Sequence, residues 1–579
     1  MLKPAWLLFS RFLISAGLVA TSFAQKPELL YLENKTPTYQ QVISFYQALD
    51  KKYETAKLLT YGMTDAGKPL QLFVISPEKN FAAAQLHKTH HAIVLINNGI
   101  HPGEPDGVDA SMKLAAEILD DSLHLPDHVV ICIVPAYNIE GMLNRGCCSR
   151  SNQNGPEEYG FRGNGQNLDL NRDFIKCEAA NTKALEELFH EWDPDIFIDT
   201  HVSDGADYQY VVTLVSSQHN KLTPPLGNFM EEKVNPFLFA DMKKNGFEMS
   251  PYVNTEKETP DEGITAFLET PRFSTGFAAL FNSIGYMVET HMFKPFPERV
   301  KGTCAFLNAA IRFASTHTAE IESMRLQAKR NTASMKTFPL SWVSDTTVVR
   351  SLPFKGYAAK HKTSLVTGQQ RLYYDRDEPY EKPVPFFPDY KVETSVNAPA
   401  AYLIPQAWNR VIERLKWNGV VMKKLDKDTV VAAEMYYIAG YNTAHVPYEG
   451  KYVHDQVRLR SEKQSMLFHE GDYLIEVNQP ANRYIVETLE PNGPDSWFNW
   501  GFFDAVLQQK EWFSDYIFEE ESVKILEKNP ALKKELDNLK STNPEFAADH
   551  WEQLGFIYSH SGDYEKSHNR YPVARLFRD

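Results

Sequence analysis

Residues 92–98, AIVLINN, narrow most what this chain can fold into. The run is short, continuously apolar and rich in β-branched side chains, the pattern of a strand buried on both faces. From Gly107 onward, GVDASMKLAAEILDD carries apolar residues at the 3.6-residue spacing of a helix. A buried strand feeding a helix is one unit of a parallel sheet. The loop between them falls at the carboxyl end of the strand, where open α/β sheets place their active sites. That loop reads INNGIHPGEPDG and holds His101 and Glu104. A His and a Glu at this spacing often occur together by chance; the setting is what gives this pair weight.

The same alternation runs from residue 25 to about 330. TYQQVISFYQALDKKYET (38–55) predicts a helix, and AKLLTYGMTDAGKPLQLFVIS a hairpin turning at Asp65, Ala66 and Gly67. HVVICIVPAYN (128–138) predicts a second buried strand, AANTKALEELFHEW (179–192) a helix, and DIFIDTH a strand ending at His201. YMVETH (286–291) predicts another strand, followed by a long helix through CAFLNAAIRFAST. The expected fold class is α/β, a mixed and largely parallel sheet flanked by helices. From about residue 346 the texture changes: prolines crowd between Pro379 and Pro405, and short β-branched runs take over to about residue 480, ahead of a charged helical tail. At 579 residues the chain exceeds one compact core. The expected organisation is a leader at 1–24, an α/β catalytic domain at 25–345, and a smaller β-rich C-terminal region with a helical tail at 346–579. The cluster Trp497, Phe498, Trp500, Phe502 and Phe503 reads as packing core rather than a stacking platform for a ligand.

Lys3 and Arg11 precede FLISAGLVATSFA (12–24), which is too short to span a bilayer comfortably and ends in small residues suited to cleavage. The mature protein is therefore expected to start near Gln25 and to be exported, to the periplasm or outside the cell. No other segment approaches 18 uninterrupted apolar residues, so no membrane association is expected after cleavage. The net charge of −15 argues against nucleic acid or an anionic membrane as a partner, because phosphate is bound by basic surface. Five cysteines are few for an exported chain, and the odd count leaves at least one thiol over. Cys147 and Cys148 fall in a loop close to the His–Glu pair, with a bridge from one of them to Cys177 as the expected pairing. No Cys-x-x-Cys spacing exists, so a thiolate metal site is not indicated.

His101, Glu104 and the distant His201 form a set of two imidazoles and one carboxylate. This is what a catalytic zinc ion takes while leaving its fourth position open. Amide hydrolysis there also needs a carboxylate to move a proton and a cationic group to hold the developing oxyanion. Glu289, at the end of YMVETH, is a carboxylate in the right architectural place. FRGNGQNLDLNRDF (161–174) brings Arg162, Asp169, Asn171 and Arg172 together. An arginine offers a planar donor fork that fits a carboxylate or an oxyanion, and asparagine adds a neutral donor.

Taken in order, HPGE at 101–104, RGNGQNLDLNR at 162–172, DTH at 199–201 and VETH at 288–291 resemble the zinc carboxypeptidase family, the carboxypeptidase A-like metallocarboxypeptidases, over roughly residues 38–315. The resemblance is to an exported member of bacterial type with an extra C-terminal region. It implies one Zn2+ per chain held by His101, Glu104 and His201. It implies that Glu289 activates zinc-bound water and then protonates the leaving amine, and that Arg162 polarises the scissile carbonyl. Asn171 and Arg172 would clamp the terminal carboxylate of a peptide substrate, and Asp169 would fix the tautomer of His101. The expected function is hydrolysis of the C-terminal peptide bond. The alternatives are a zinc amidohydrolase acting on N-acyl amino acids or cell-wall peptides, and an inactive peptide-binding module. The intact D-L-N-R segment and the leader favour the first reading, and retention of all three ligands with Glu289 speaks against the last. Two departures stand out. No tyrosine stands where pancreatic members carry a mobile one ahead of the catalytic Glu. The segment ETPRFSTGFAALFNSIG offers Phe267, Phe273 and Phe277 as nearby aromatics, and Arg272, Ser274, Thr275 and Gly276 as candidate lining of the side-chain pocket, where Arg272 would favour an acidic side chain.

Overall fold

A computed structural model describes residues 30–124 and 126–577; the expected leader at 1–24 lies outside the described residues. Helix α1 (Tyr39–Lys52) begins at Thr38, whose hydroxyl accepts from the Gln41 N–H while the Gln41 side chain accepts from the Thr38 N–H. This reciprocal cap satisfies two of the donors a helix start leaves open. The hairpin β1 (Ala56–Met63) and β2 (Pro69–Ile75) closes at Gly67, whose φ of 63° glycine adopts without strain. Then come β3 (Ala92–Asn97), α2 (Asp106–Leu119) and β4 (Val129–Val134). After a long loop the chain continues through α3 (Ala180–Trp192), β5 (Ile196–Ser203), β6 (Val212–Ser216), β7 (Met249–Pro251) and β8 (Ile264–Thr265). The α/β part closes with β9 (Ile284–His291) and the long helix α4 (Phe296–Ser334).

Eight of these strands form one mixed sheet in the order β1-β2-β4-β3-β5-β9-β6-β7. Its centre, β4-β3-β5-β9, is parallel throughout, and the antiparallel pairings lie towards the two sides. The period of two along a strand decides what each face sees. Ala92, Val94 and Ile96 of β3 enter a core with α1, α2 and α4, while Ile93 and Leu95 enter a second core with α3. Both faces are thus buried, as the unbroken apolar run predicts. Strand β5 does not end at His201: it pairs with β9 through Ser203↔His291, so His201 and its register partner Glu289 sit two residues inside their strands.

The C-terminal region adds a six-stranded sheet that includes Ala401–Ile404, Ala574–Leu576 and the long hairpin of Thr429–Thr443 with His454–Phe468. Its aromatic cluster is core: Trp497, Phe498, Trp500 and Phe503 are fully buried, packed with Trp192 and Phe277 on the α3 side of the large sheet. The helical segments from Asp515 to Ser559 are not the end of the fold, because Ala574–Leu576 returns to pair with Ala401–Ile404. The expected bridge to Cys177 does not form. Cys147 and Cys148 are exposed and joined to each other, whereas Cys177 is buried with a free thiol, and the Arg414 guanidinium donates to its carbonyl at 2.9 Å.

The first turn of α2 approaches β5 at Gly107, where an added Cβ would lie 1.9 Å from Thr200 Oγ1 and 2.6 Å from Asn98 Oδ1. Gly107→Ala is therefore expected to destabilise the fold by about 1–3 kcal/mol, the usual range for overpacking. Calorimetry checks this: a lowered Tm is expected, and an unchanged or raised Tm would refute the contact.

Candidate metal centre and active site

Strand β3 delivers the chain to His101, and a turn in which the Glu104 N–H donates to the His101 carbonyl at 2.8 Å presents both side chains to one point. Strand β5 brings His201 to the same point. Ligand atoms of His101, Glu104 and His201 all lie within 4.8 Å of one another, and all three residues are buried. Glu104 sits between the rings, Oε1 at 3.4 Å from His101 Nδ1 and Oε2 at 3.3 Å from His201 Nδ1. The far nitrogens are each held by a carboxylate. His101 Nε2 lies 2.8 Å from Asp169 Oδ1, and His201 Nε2 lies 3.0 Å from Asp199 Oδ2. Such partners keep the proton on Nε2 and turn the Nδ1 lone pair inward. Among the described residues, buried Nδ1 of His101 has no hydrogen-bond partner. An inward-facing orphan nitrogen, a second imidazole oriented alike and a shared carboxylate are the donor set that suits a divalent zinc ion.

Charge sets the protonation of this cluster. Burial alone would raise Glu104, but Arg150 first, then His101 and His201, hold it well below the usual carboxylate range. Arg150 donates to Glu104 Oε1 at 2.6 Å and to the Val202 carbonyl at 2.8 Å, and Arg162 Nη1 stands 3.4 Å from the same Glu104 oxygen. Glu289 lines the pocket beside them. Burial pushes its carboxyl up to about 7, with the His201 charge opposing and the Glu104 charge adding.

The D-L-N-R segment folds as a single turn. Asp169 accepts the Asn171 N–H at 2.8 Å while its other oxygen lies 2.7 Å from Arg162 Nη2. Asn171 is buried, with Oδ1 accepting from the Ser274 N–H at 2.9 Å, so its amide nitrogen is the end left towards the pocket. The Arg172 guanidinium lies 4.3 Å over the Phe273 ring. One cavity of about 370 Å³ is lined by the three candidate ligands together with Arg162, Asn171, Arg172 and Glu289.

Residues 42–289 match the family model described as zinc carboxypeptidase. Over that stretch the chain is similar to the zinc carboxypeptidase family. It is similar to carboxypeptidase 2 of Trichophyton equinum, 20% identical over 458 residues that cover 76% of this chain and 78% of the fungal one. Carboxypeptidase 2 of Trichophyton rubrum is 21% identical over 428 residues, covering 70% and 73% of the two chains. Both alignments are too long to fit within residues 1–345, so they extend into the C-terminal region. Among solved structures, a metallo-carboxypeptidase from Burkholderia cenocepacia aligns at 18% identity with a TM-score of 0.36, covering 50% of this chain and 71% of its own.

Some residues of the cavity escaped the sequence reading. Arg150 follows the Cys147–Cys148 pair, and no motif marks it. Tyr252 lines the cavity from just beyond β7, well ahead of the segment where a tyrosine was sought. Burial, then the charge of Glu289, raises its phenol above the ordinary range. The expected lining of the side-chain pocket is corrected. Arg272 is neither in the pocket nor free on the surface: its Nε binds Asp495 at 2.6 Å and its guanidinium lies 4.9 Å over Trp500. Ser274, Thr275 and Gly276 are buried in the short helix Ser274–Leu280. Phe267 and Phe273 do line the cavity, whereas Phe277 is core.

Arg150 is the charge most closely paired with Glu104. In chelator-treated protein, Arg150→Met is expected to lower stability by about 2 kcal/mol, less than the roughly 3–5 kcal/mol of a broken fully buried pair because Arg162 remains nearby. Thermal unfolding of the treated variant and parent measures this, and equal Tm values would refute the pairing.

Proposed function

We propose that this protein is an exported zinc carboxypeptidase that hydrolyses the C-terminal peptide bond of peptides bearing a free carboxylate. The observation that carries the reading is the register pair His201↔Glu289: a partly buried carboxylate with its proton affinity raised stands beside the three-residue metal set, in one cavity with Arg162, Asn171 and Arg172.

His101, Glu104 and His201 would hold the ion, with Asp169 and Asp199 orienting the two rings. When bound, zinc supplies Lewis acidity that polarises the carbonyl and makes water a better nucleophile. Asn171 Nδ2 and the Arg172 guanidinium receive the terminal carboxylate, which fixes the last peptide bond over Glu289. Glu289 takes a proton from the attacking water as oxygen bonds to the carbonyl carbon. Arg162 donates to the carbonyl oxygen as negative charge develops there. The C–N bond then breaks, and Glu289 returns the proton to the departing amine nitrogen. Nitrogen leaves as an amine and the new terminus as a carboxylate. Support for export comes from the charged, apolar and small-residue pattern of residues 1–24.

The purified protein is expected to carry about one zinc per chain and to lose activity to a chelator. Glu289→Gln should keep the zinc and lose at least about 10²-fold in kcat, the scale of general-base catalysis. Metal analysis showing none, or full activity in the variant, rejects the mechanism. Mass spectrometry of a mixed peptide library should show single residues leaving C-terminal acids and not the matching amides. Cleavage confined to N-acyl amino acids would select the amidohydrolase alternative, and binding without cleavage the peptide-binding one. N-terminal sequencing of protein exported from cells should begin at Gln25.

A further inference from the structure

The loop joining strands Thr429–Thr443 and His454–Phe468 belongs to the C-terminal region, yet its tip rests on the D-L-N-R segment. Tyr448 and Lys451 exchange backbone hydrogen bonds at 2.8 and 3.0 Å, with Glu449 at φ 49° and Gly450 at φ 75° between them. Two left-handed residues in succession make a type I′ turn, which suits glycine at the second position and costs a side-chain-bearing residue at the first. Glu449 has a partner that explains its place, because its Oε2 accepts the Asp169 N–H at 2.7 Å. Gly450 approaches Leu168, and Lys451 pairs with Glu178 at 2.7 Å.

Tyr448 makes the contact that bears on ligand binding. Its hydroxyl accepts from Arg172 Nε at 3.0 Å, while Arg172 Nη1 donates to the Asn171 carbonyl at 2.8 Å. With Phe273 against its face, the guanidinium is held in plane and in direction. Among the described residues Nη2 has no hydrogen-bond partner and is the nitrogen left for a ligand. The tyrosine is itself braced: its ring stacks on Trp500 at 6.2 Å, and the Arg272 guanidinium, fixed by Asp495, lies 5.6 Å over it.

We propose that the loop at 444–453 is part of the carboxylate-binding site, with Tyr448 and Glu449 as positioning residues that preset Arg172 and its turn before substrate arrives. This rests on the reading of Asn171 and Arg172 as the clamp for the substrate's terminal carboxylate. A preset arginine gives up less side-chain freedom on binding, so the gain falls on affinity for the free carboxylate and not on bond cleavage. The C-terminal region is then required for recognition by a site whose reacting groups all come from residues 101–289.

The test uses zinc-loaded full-length protein carrying Glu289→Gln, titrated by calorimetry with benzoyl-Gly-Phe and with its C-terminal amide. With Tyr448 intact the acid is expected to bind at least about tenfold tighter than the amide, the scale of a hydrogen bond to a charged group. Tyr448→Phe should cut that ratio by about three- to tenfold and leave the amide's affinity unchanged, and Glu449→Ala should act in the same direction. In active enzyme, Tyr448→Phe should raise KM by the same factor with kcat within about twofold. An acid-to-amide ratio unmoved by both variants overturns the inference while leaving the clamp standing. A ratio near one in protein with Tyr448 and Glu449 intact overturns the clamp reading itself, and this inference with it.

Discussion

The pairing of β5 with β9 is the constraint on which the site depends. In a parallel ladder, register partners point to the same side, so His201↔Glu289 sets an imidazole beside a carboxylate with no loop between them. A one-residue slip would send one of them to the opposite face of the sheet. The slip is prevented by burial: Ile198 and Val288 are fully covered, and their side chains would have to leave the core. The same ladder carries Asp199 two residues before His201, on the same face, which is why a carboxylate meets the far nitrogen of that ring. Rigid strands thus supply the parts that must not move, and the loops after β3 and β4 supply His101, Glu104 and the arginines.

Electrostatics explains why so many charged groups tolerate one buried place. Glu104 is 3% exposed and lies among two imidazoles and two guanidinium groups. Each of its oxygens has donors within reach, including the Val202 N–H at 2.8 Å from Oε2. A buried carboxylate persists only when it is paired in this way. For Glu289 the loss of solvent dominates, and its carboxyl rises for that reason, helped by the Glu104 charge. In the proposed mechanism Glu104, held down by cations, holds the metal ion and Glu289, raised by burial, moves the proton.

The C-terminal region follows from the need to cover the second face of the sheet. On one face α1, α2 and α4 bury the apolar side chains. On the other, α3 and the short helix Ser274–Leu280 leave room that Tyr402, Ile404, Trp497 and Trp500 fill. That packing brings the loop at 444–453 over the D-L-N-R turn, so a region that looks like an appendage in sequence touches Arg172, one of the residues that line the cavity.

Much of the core was legible in the sequence, because local rules govern it. The β3 run, the helices α1 to α4 and the turn at Gly67 each follow from periodicity, caps or glycine. His101, Glu104, His201, Glu289 and the D-L-N-R residues could be nominated because their types and strand-end settings match one chemistry. Their convergence on one cavity is a property of the tertiary fold. Spacing along the chain carries no trace of the 2.6 Å approach of Arg150 to Glu104, of the turn that brings Tyr252 to the wall, or of the Asp495 that draws Arg272 away. It carries none of the contact between Tyr448 and Arg172 either, since those residues lie far apart in sequence and meet only because two separate sheets share an apolar core. The sequence alone determined the local elements and the inventory of reactive side chains; only the packing of the sheets decided which of those side chains touch, because contact depends on distance in space and apolar burial sets that distance.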